Sequence, residues 1–277
     1  MRWLLTMCLV TGLSGFSVQG CQQAGKGDLP KTKLVLTGSS TIAPLALAIG
    51  KQFETIHPGI RIDVQTGGSS RGMADAQSGL ADIGMASRSL RESEQALIPH
   101  ILARDGIALI AHQSNAVKGL SREQVIGIYT GVITNWKDVG GMDTPITVVT
   151  KAEGRGTLDM FLAYFQLKSS SIKAQVVIGD NEQGIKTVMG NPNAIGFVSI
   201  GSAEYDAAQG VPIQLLALNG IPASLETLQN GSYPLSRPLL LVTKTVPKGL
   251  IKDFLDFALS SQTHDLITQY SFVPVTG

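Results

Sequence analysis

Short apolar runs alternate along this chain with amphipathic runs of helical period, and the links between them are short and rich in Gly, Ser and Thr. That alternation argues for an α/β fold. Lys33 to Leu36 reads as a strand, after which Ile42, Leu45, Ile49, Phe53 and Ile56 recur at helical spacing. Pro44 is tolerated in the first turn of that helix, and Pro58-Gly59 ends it. Ile60, Ile62 and Val64 alternate with Arg61, Asp63 and Gln65 as a half-buried strand does. A helix over about Arg71 to Gly79, a strand from Ala81 to Ala86 and a buried run from Gly106 to Ala111 follow. Ser121 and Gln124 form a capping box that opens the next helix. The second half continues with strands at Ile146–Val149, Gln175–Ile178, Ile195–Ile200, Ile213–Leu218 and Pro238–Thr243. Helices are expected along Leu158, Phe161, Leu162 and Phe165, and from Leu250 to Leu259.

The 277 residues suffice for one large or two medium domains, and 43% apolar against 16% charged residues excludes disorder. A formal charge of +1 disfavours nucleic acid as a partner, so any attraction for anions must be local. The first twenty residues have the form of an export leader: Arg2, an apolar run from Trp3 to Val10 too short to span a bilayer, then small and polar residues. The leader ends in Val18-Gln19-Gly20-Cys21, which resembles the lipobox of bacterial lipoproteins and makes Cys21 a candidate for lipidation. The alternative is a plain cleavable signal with Cys21 as a stray thiol. Cys8 lies within the leader, so the mature chain has no internal disulfide. Gln22 to Pro30 then reads as a tether.

Three Gly/Ser/Thr loops each end a strand and open a helix. They are Thr37-Gly38-Ser39-Ser40-Thr41, Thr66-Gly67-Gly68-Ser69-Ser70-Arg71-Gly72, and Lys151-Ala152-Glu153-Gly154-Arg155-Gly156-Thr157. A helix N-terminus offers unpaired N–H groups and the positive end of its dipole, glycine permits close backbone approach, and hydroxyls add neutral donors. Together they suit a small oxyanion. Met85-Ala86-Ser87-Arg88 ends another strand and adds a guanidinium. The nucleotide loops G-x-x-x-x-G-K-[ST] and G-x-G-x-x-G are missing, and His57, His100, His112 and His264 lack metal-ligand spacing, so no cofactor or metal is expected. One competing reading is enzymatic. Gly68-Ser69-Ser70-Arg71-Gly72 matches G-x-S-x-G between a strand and a helix, which would make Ser70 a hydrolase nucleophile, with His264 late in the chain as its base.

These loops carry a family resemblance, together with Ala81-Asp82-Ile83-Gly84-Met85-Ala86-Ser87-Arg88, Ile128-Tyr129-Thr130-Gly131, Asn135-Trp136 and Asn193-Ala194-Ile195-Gly196-Phe197-Val198. The chain resembles the phosphate-binding receptors of bacterial phosphate ABC transporters, the PstS-like family. The resemblance implies a two-lobed periplasmic-binding-protein type II fold, its lobes joined by two crossing strands and closing on ligand between them. The crossings are expected near Ala108 to His112 and Leu239 to Thr243. Residues 1–20 would be the signal, 21–31 the tether, 32–111 with 240–277 lobe one, and 112–239 lobe two. It also implies a monomeric subunit outside the cytoplasm, captured by ABC permease subunits and held to the membrane by its lipid.

The candidate ligand-binding residues are Ser39, Ser40, Thr41, Ser69, Ser70, Ser87, Arg88, Lys151, Arg155, Gly156 and Thr157. Ser40, Thr41, Ser69, Gly156 and Thr157 match the family's ligand contacts. Ser87 stands where an aspartate commonly accepts the ligand's proton, Lys151 where an arginine pairs with that aspartate, and Arg155 in place of a serine. Without the carboxylate the site has less reason to reject sulfate, molybdate, tungstate or arsenate. It should prefer a dianion, with phosphate affinity rising from about pH 6 to 8 through a second pKa of about 6 to 7. The alternative is that Asp82 or Glu153 supplies the acceptor. For the anchor, Cys21→Ala should leave the precursor unprocessed or move the protein out of the membrane fraction; unchanged retention in a fractionation assay would contradict lipidation.

Overall fold

The protein, described here by a computed structural model over residues 32–275, folds from alternating strands and helices as its periodicity predicts. Cys21, the leader and the tether lie outside the described residues. The first run of elements is β1 (Thr32–Gly38), α1 (Ala43–Ile56), β2 (Ile60–Thr66), α2 (Ser69–Ser78), β3 (Ile83–Ala86) and β4 (Ile98–His112). Next come β5 (Gly119–Leu120), α3 (Arg122–Thr130), β6 (Thr147–Lys151), α4 (Gly156–Phe165), β7 (Val176–Ile178), α5 (Asn181–Met189), β8 (Ala194–Ser199) and α6 (Ile200–Ala208). The chain ends with β9 (Ile213–Leu218), α7 (Leu225–Gln229), β10 (Ser236–Thr243), α8 (Gly249–Ala258), α9 (His264–Gln269) and β11 (Val273–Pro274).

Two sheets share one long strand. In the first, β2, β1 and β3 run parallel, and β10 joins β3 to β4 antiparallel. In the second, the far half of β4 pairs antiparallel with β8 and β9, and β6 continues parallel between β8 and β7. Each sheet has its own core. Leu34, Leu36, Leu45, Ile49, Phe53, Leu239 and Phe254 pack in one, and Ile107 to Ala111, Phe161, Phe165, Phe197 and Leu216 in the other. Each such side chain contributes about 1.5–3 kcal/mol by leaving water. The α/β class and the two-lobed arrangement are therefore both present.

The change of core comes a few residues before each expected crossing. Leu102 and Ala103 belong to the first core and Ile107 to the second; on the return, Leu235 belongs to the second and Leu239 to the first. The apolar runs that suggested the crossings are the strand interiors within each core. The passages themselves carry charge, because Asp105 of β4 lies opposite Arg237 of β10.

Parallel strands with helical crossovers bring their C-terminal ends and the following helix N-termini to one edge. In the first lobe that edge carries the β1–α1 turn, the β2–α2 turn and the end of β3; in the second it carries the β6–α4 and β7–α5 turns. The two edges face each other closely. Ser70 N donates to Gly154 O across the gap at 3.1 Å. Gly68 has φ +92°, and a Cβ there would stand 2.7 Å from Gly154 O, so this contact requires glycine.

Candidate functional site

Between the facing edges lies a small, tightly closed cavity of about 10 Å³, lined by Ser39, Ser40, Thr41, Gly68, Ser69, Ser87, Lys151, Arg155, Gly156, Thr157 and Gly179. Helices α1, α2 and α4 begin at it, and none of the three is closed by a side-chain cap. By contrast α3, α5, α6 and α7 are capped by Ser121, Asp180, Ser199 and Ser224. The Ser and Thr residues beside the cavity therefore do not serve as ordinary caps, and the positive ends of three dipoles converge on one space. A Cβ on Gly156 would press on Ser69 Oγ and come within 2.9 Å of Ser87 Oγ, so a larger residue there would push these hydroxyls out of place.

The hydroxyls are oriented by the bonds they already accept. Asn181 Nδ2 donates to Thr41 Oγ1 (3.3 Å), Ser87 N to Ser69 Oγ (3.1 Å), and Arg237 Nη1 to Thr157 Oγ1 (2.7 Å). An oxygen that accepts such a bond keeps its own hydrogen to donate. Thr41 and Thr157 thus present donors to the space they line. Ser69 divides its hydrogen between that space and a 3.5 Å contact with Ser87 Oγ. Ser39 Oγ is buried with no hydrogen-bond partner. A buried hydroxyl left unpaired costs about 1–3 kcal/mol, which a ligand oxygen would remove.

Three cations surround these donors. Lys151 is 3% exposed, and its Nζ donates to Asn181 Oδ1 at 2.9 Å. Because an ammonium can only donate, this bond sets the amide so that Nδ2 faces Thr41 and Ser202. Burial, then the nearby Arg237 guanidinium, pushes the Lys151 pKa down to about 7, with Arg155 adding to the effect and Asp180 opposing it. Arg155 is half-buried at the rim, between Gly68 and Gly179, and forms none of the ion pairs among the described residues. Arg237 is fully buried, with Nε and Nη2 on Asp105 Oδ2 at 3.0 and 2.6 Å. Asp105 Oδ1 also accepts from Ser199 Oγ at 3.0 Å.

No carboxylate among the described residues lines the cavity. Asp82, a candidate acceptor, takes the Val35 amide at 2.8 Å, and Glu153 is exposed. A larger cleft of about 430 Å³ opens alongside and shares Thr41, but Glu182 and Asp206 line it and no cation among the described residues does, so it is unsuited to an anion.

Nine of the eleven candidate residues meet at the cavity, and two do not line it. Arg88 is bound through both terminal nitrogens to Glu94, at 2.7 and 2.8 Å, and through Nε to Asp159 at 2.9 Å. Its fork is filled by carboxylates. Ser70 Oγ is buried without a hydrogen-bond partner among the described residues. His100 contacts Thr243 Oγ1, His112 contacts Ser114 Oγ, and His57 stacks on Phe53. Asn181, Asp105 and Arg237 were not anticipated. The signals for them were faint: an Asp-Asn pair after the β7 strand, and single charges beside apolar runs.

A two-lobed α/β receptor with a donor-lined interlobe cavity is the class that this fold and site define. The chain belongs to the PBP superfamily, whose domain model matches residues 24–262, as a PstS-like member. It is 28% identical to the phosphate-binding protein PstS of Bacillus subtilis over all of this chain and 92% of that protein. Among solved structures it is similar to a protein of Clostridium perfringens, described as a phosphate ABC transporter substrate-binding protein with bound phosphate. The identity is 34% and the TM-score 0.82, covering 88% of this chain and 100% of that one. An ABC-type phosphate transport receptor from Vibrio cholerae is 32% identical with TM-score 0.73, covering 87% and 99%.

The buried pair between β4 and β10 generates a stability prediction. Asp105→Asn leaves Arg237 buried without its counter-charge and should destabilise the protein by about 3–5 kcal/mol in denaturant unfolding. A loss under about 1 kcal/mol would show that the pair is not holding the passage between the lobes.

Proposed function

We propose that this protein captures inorganic phosphate outside the cytoplasm and delivers it to the permease subunits of an ABC importer. The observation that carries the reading is the interlobe cavity, whose lining holds hydroxyl donors, three helix N-termini, buried Lys151 and half-buried Arg155, and no acidic group among the described residues. A tetrahedral oxyanion has several acceptor oxygens spread in all directions, which matches donors converging from two lobes. Residues 32–105 with 237–275 act as one lobe and the segment between as the other. Ligand favours closure because only the closed state brings both sets of donors to it.

The protein acts as a receptor rather than as an enzyme, a reading supported by its membership of a family of substrate-binding proteins. It works as a monomer, exported by its leader and held to the membrane through lipid on Cys21. No helix among the described residues is long and apolar enough to cross a membrane, so an anchor of this kind would supply the attachment. A second oxyanion is favoured by one specific feature. With no carboxylate to repel an ion that lacks a proton, sulfate should enter the same cavity.

Calorimetry on the purified mature protein with phosphate, arsenate, sulfate, molybdate and tungstate tests this directly. The expected result is one site per chain, with phosphate binding and sulfate competing. Silence toward all five anions would refute the reading; phosphate binding without any sulfate competition would overturn the role given to the missing carboxylate.

A further inference from the structure

The ligand's charge poses a problem that this cavity solves without an acid. A site made of donors has no acceptor for a proton on the bound ion, so it favours the form with fewest protons. The group best placed to respond is Lys151. Its Nζ is buried and has one hydrogen bond, to Asn181 Oδ1 at 2.9 Å, so an ammonium there has two further hydrogens for the space it lines. The charges around it are mostly unhelpful. Arg237 and Arg155 are like charges, Asp180 is the one acid acting on it, and Glu153, two positions along, is exposed. No carboxylate among the described residues pairs with it. An ammonium held this way lacks its counter-charge until a doubly charged oxyanion arrives.

Resting on the phosphate-receptor reading above, we propose that Lys151 sets the charge of the bound anion: the ligand completes its ammonium, so a tetrahedral dianion and one proton bind together. The proton goes to Nζ, taken from solvent when the dianion arrives as such, or from the ligand when it arrives as the monoanion. Asn181 is the positioning residue, because its Oδ1 aims the nitrogen and its Nδ2 turns the Thr41 hydroxyl toward the same space. The pKa near 7 supports this, since the amine is then largely neutral at pH 8 and largely charged at pH 6.

The sign of the pH dependence follows. For sulfate, which carries no proton in this range, affinity should fall about tenfold from pH 6 to 8 as Lys151 loses its charge in the free protein. Phosphate gains dianion over the same range, so its affinity should climb below neutrality and decline above it. The expectation from sequence, a climb through pH 8, is thereby revised.

The test is calorimetry with sulfate and with phosphate at pH 6 and pH 8, each in two buffers of different ionisation enthalpy, which reports the protons exchanged on binding. At pH 8 sulfate should take up most of a proton per site and phosphate somewhat less; at pH 6 sulfate should exchange little and phosphate should release protons. In Lys151→Arg, whose guanidinium stays charged throughout, whatever binding remains should show no uptake at pH 8, and Lys151→Met should bind either anion at least about tenfold more weakly. Binding by the unmodified protein with no proton uptake at pH 8 would overturn the proposal while leaving the phosphate reading standing. Uptake that persists in Lys151→Arg would assign the proton to another group and overturn it equally. No binding of either anion at any pH would instead sink the receptor reading itself.

Discussion

The Asp105–Arg237 ion pair lies at the passage between two cores, and much of the site depends on it. Both side chains are fully buried, and they face each other across the two strands that cross from lobe to lobe. A buried pair of this kind offers little net stability over an apolar one, because desolvation consumes the Coulomb gain. Its value here is geometric. With two nitrogens fixed on Asp105, Arg237 has Nη1 left for the Thr157 hydroxyl of lobe two and, at 3.5 Å, the Ser87 carbonyl of lobe one. The charge at the crossing thus orients a donor in the cavity while touching both lobes.

From that point the chemistry of the cavity is largely one of orientation. Thr41, Ser69 and Thr157 have hydroxyls that could accept or donate; each already accepts one bond, which leaves its hydrogen free to donate, in Ser69 shared with Ser87. Uncapped helix ends add amides of the same polarity. Such preorganisation lets a small ion shed its water into a ready set of donors, so that little reorganisation is needed on binding. Across the rim, Arg88 and Arg91 of lobe one both reach Asp159 on α4, adding interlobe contact close to the site without entering it.

Much of this was legible in the sequence, and the exceptions have physical causes. Apolar periodicity locates β1, α1, β2 and β9 closely; α1 shows it best, burying Leu45, Ile49 and Phe53 on one face. The three Gly/Ser/Thr loops announce the cavity because helix starts near an anion need small residues. The apolar run from Gly106 to Ala111 shows only the second half of β4; the first half, with Pro99, Arg104 and Asp105, carries no apolar run of that length and pairs with β10 across the sheet. Arg88 misled for the opposite reason. A guanidinium beside a Ser-rich strand end looks like an anion ligand, and only the fold reveals that Glu94 and Asp159 already occupy it. Asn181 is invisible to such reasoning, since its role is to orient Lys151 and Thr41, which lie 30 and 140 positions away.

The central claim is a location: a tetrahedral oxyanion held between the lobes by donors from both. Crystals grown with selenate or arsenate would show the ion through anomalous scattering. The account predicts one strong peak per chain in the cavity among Ser39, Thr41, Ser69, Lys151 and Thr157. A peak in the neighbouring cleft beside Tyr205 and Asp206, or no ordered peak between the lobes at saturating anion, would contradict it.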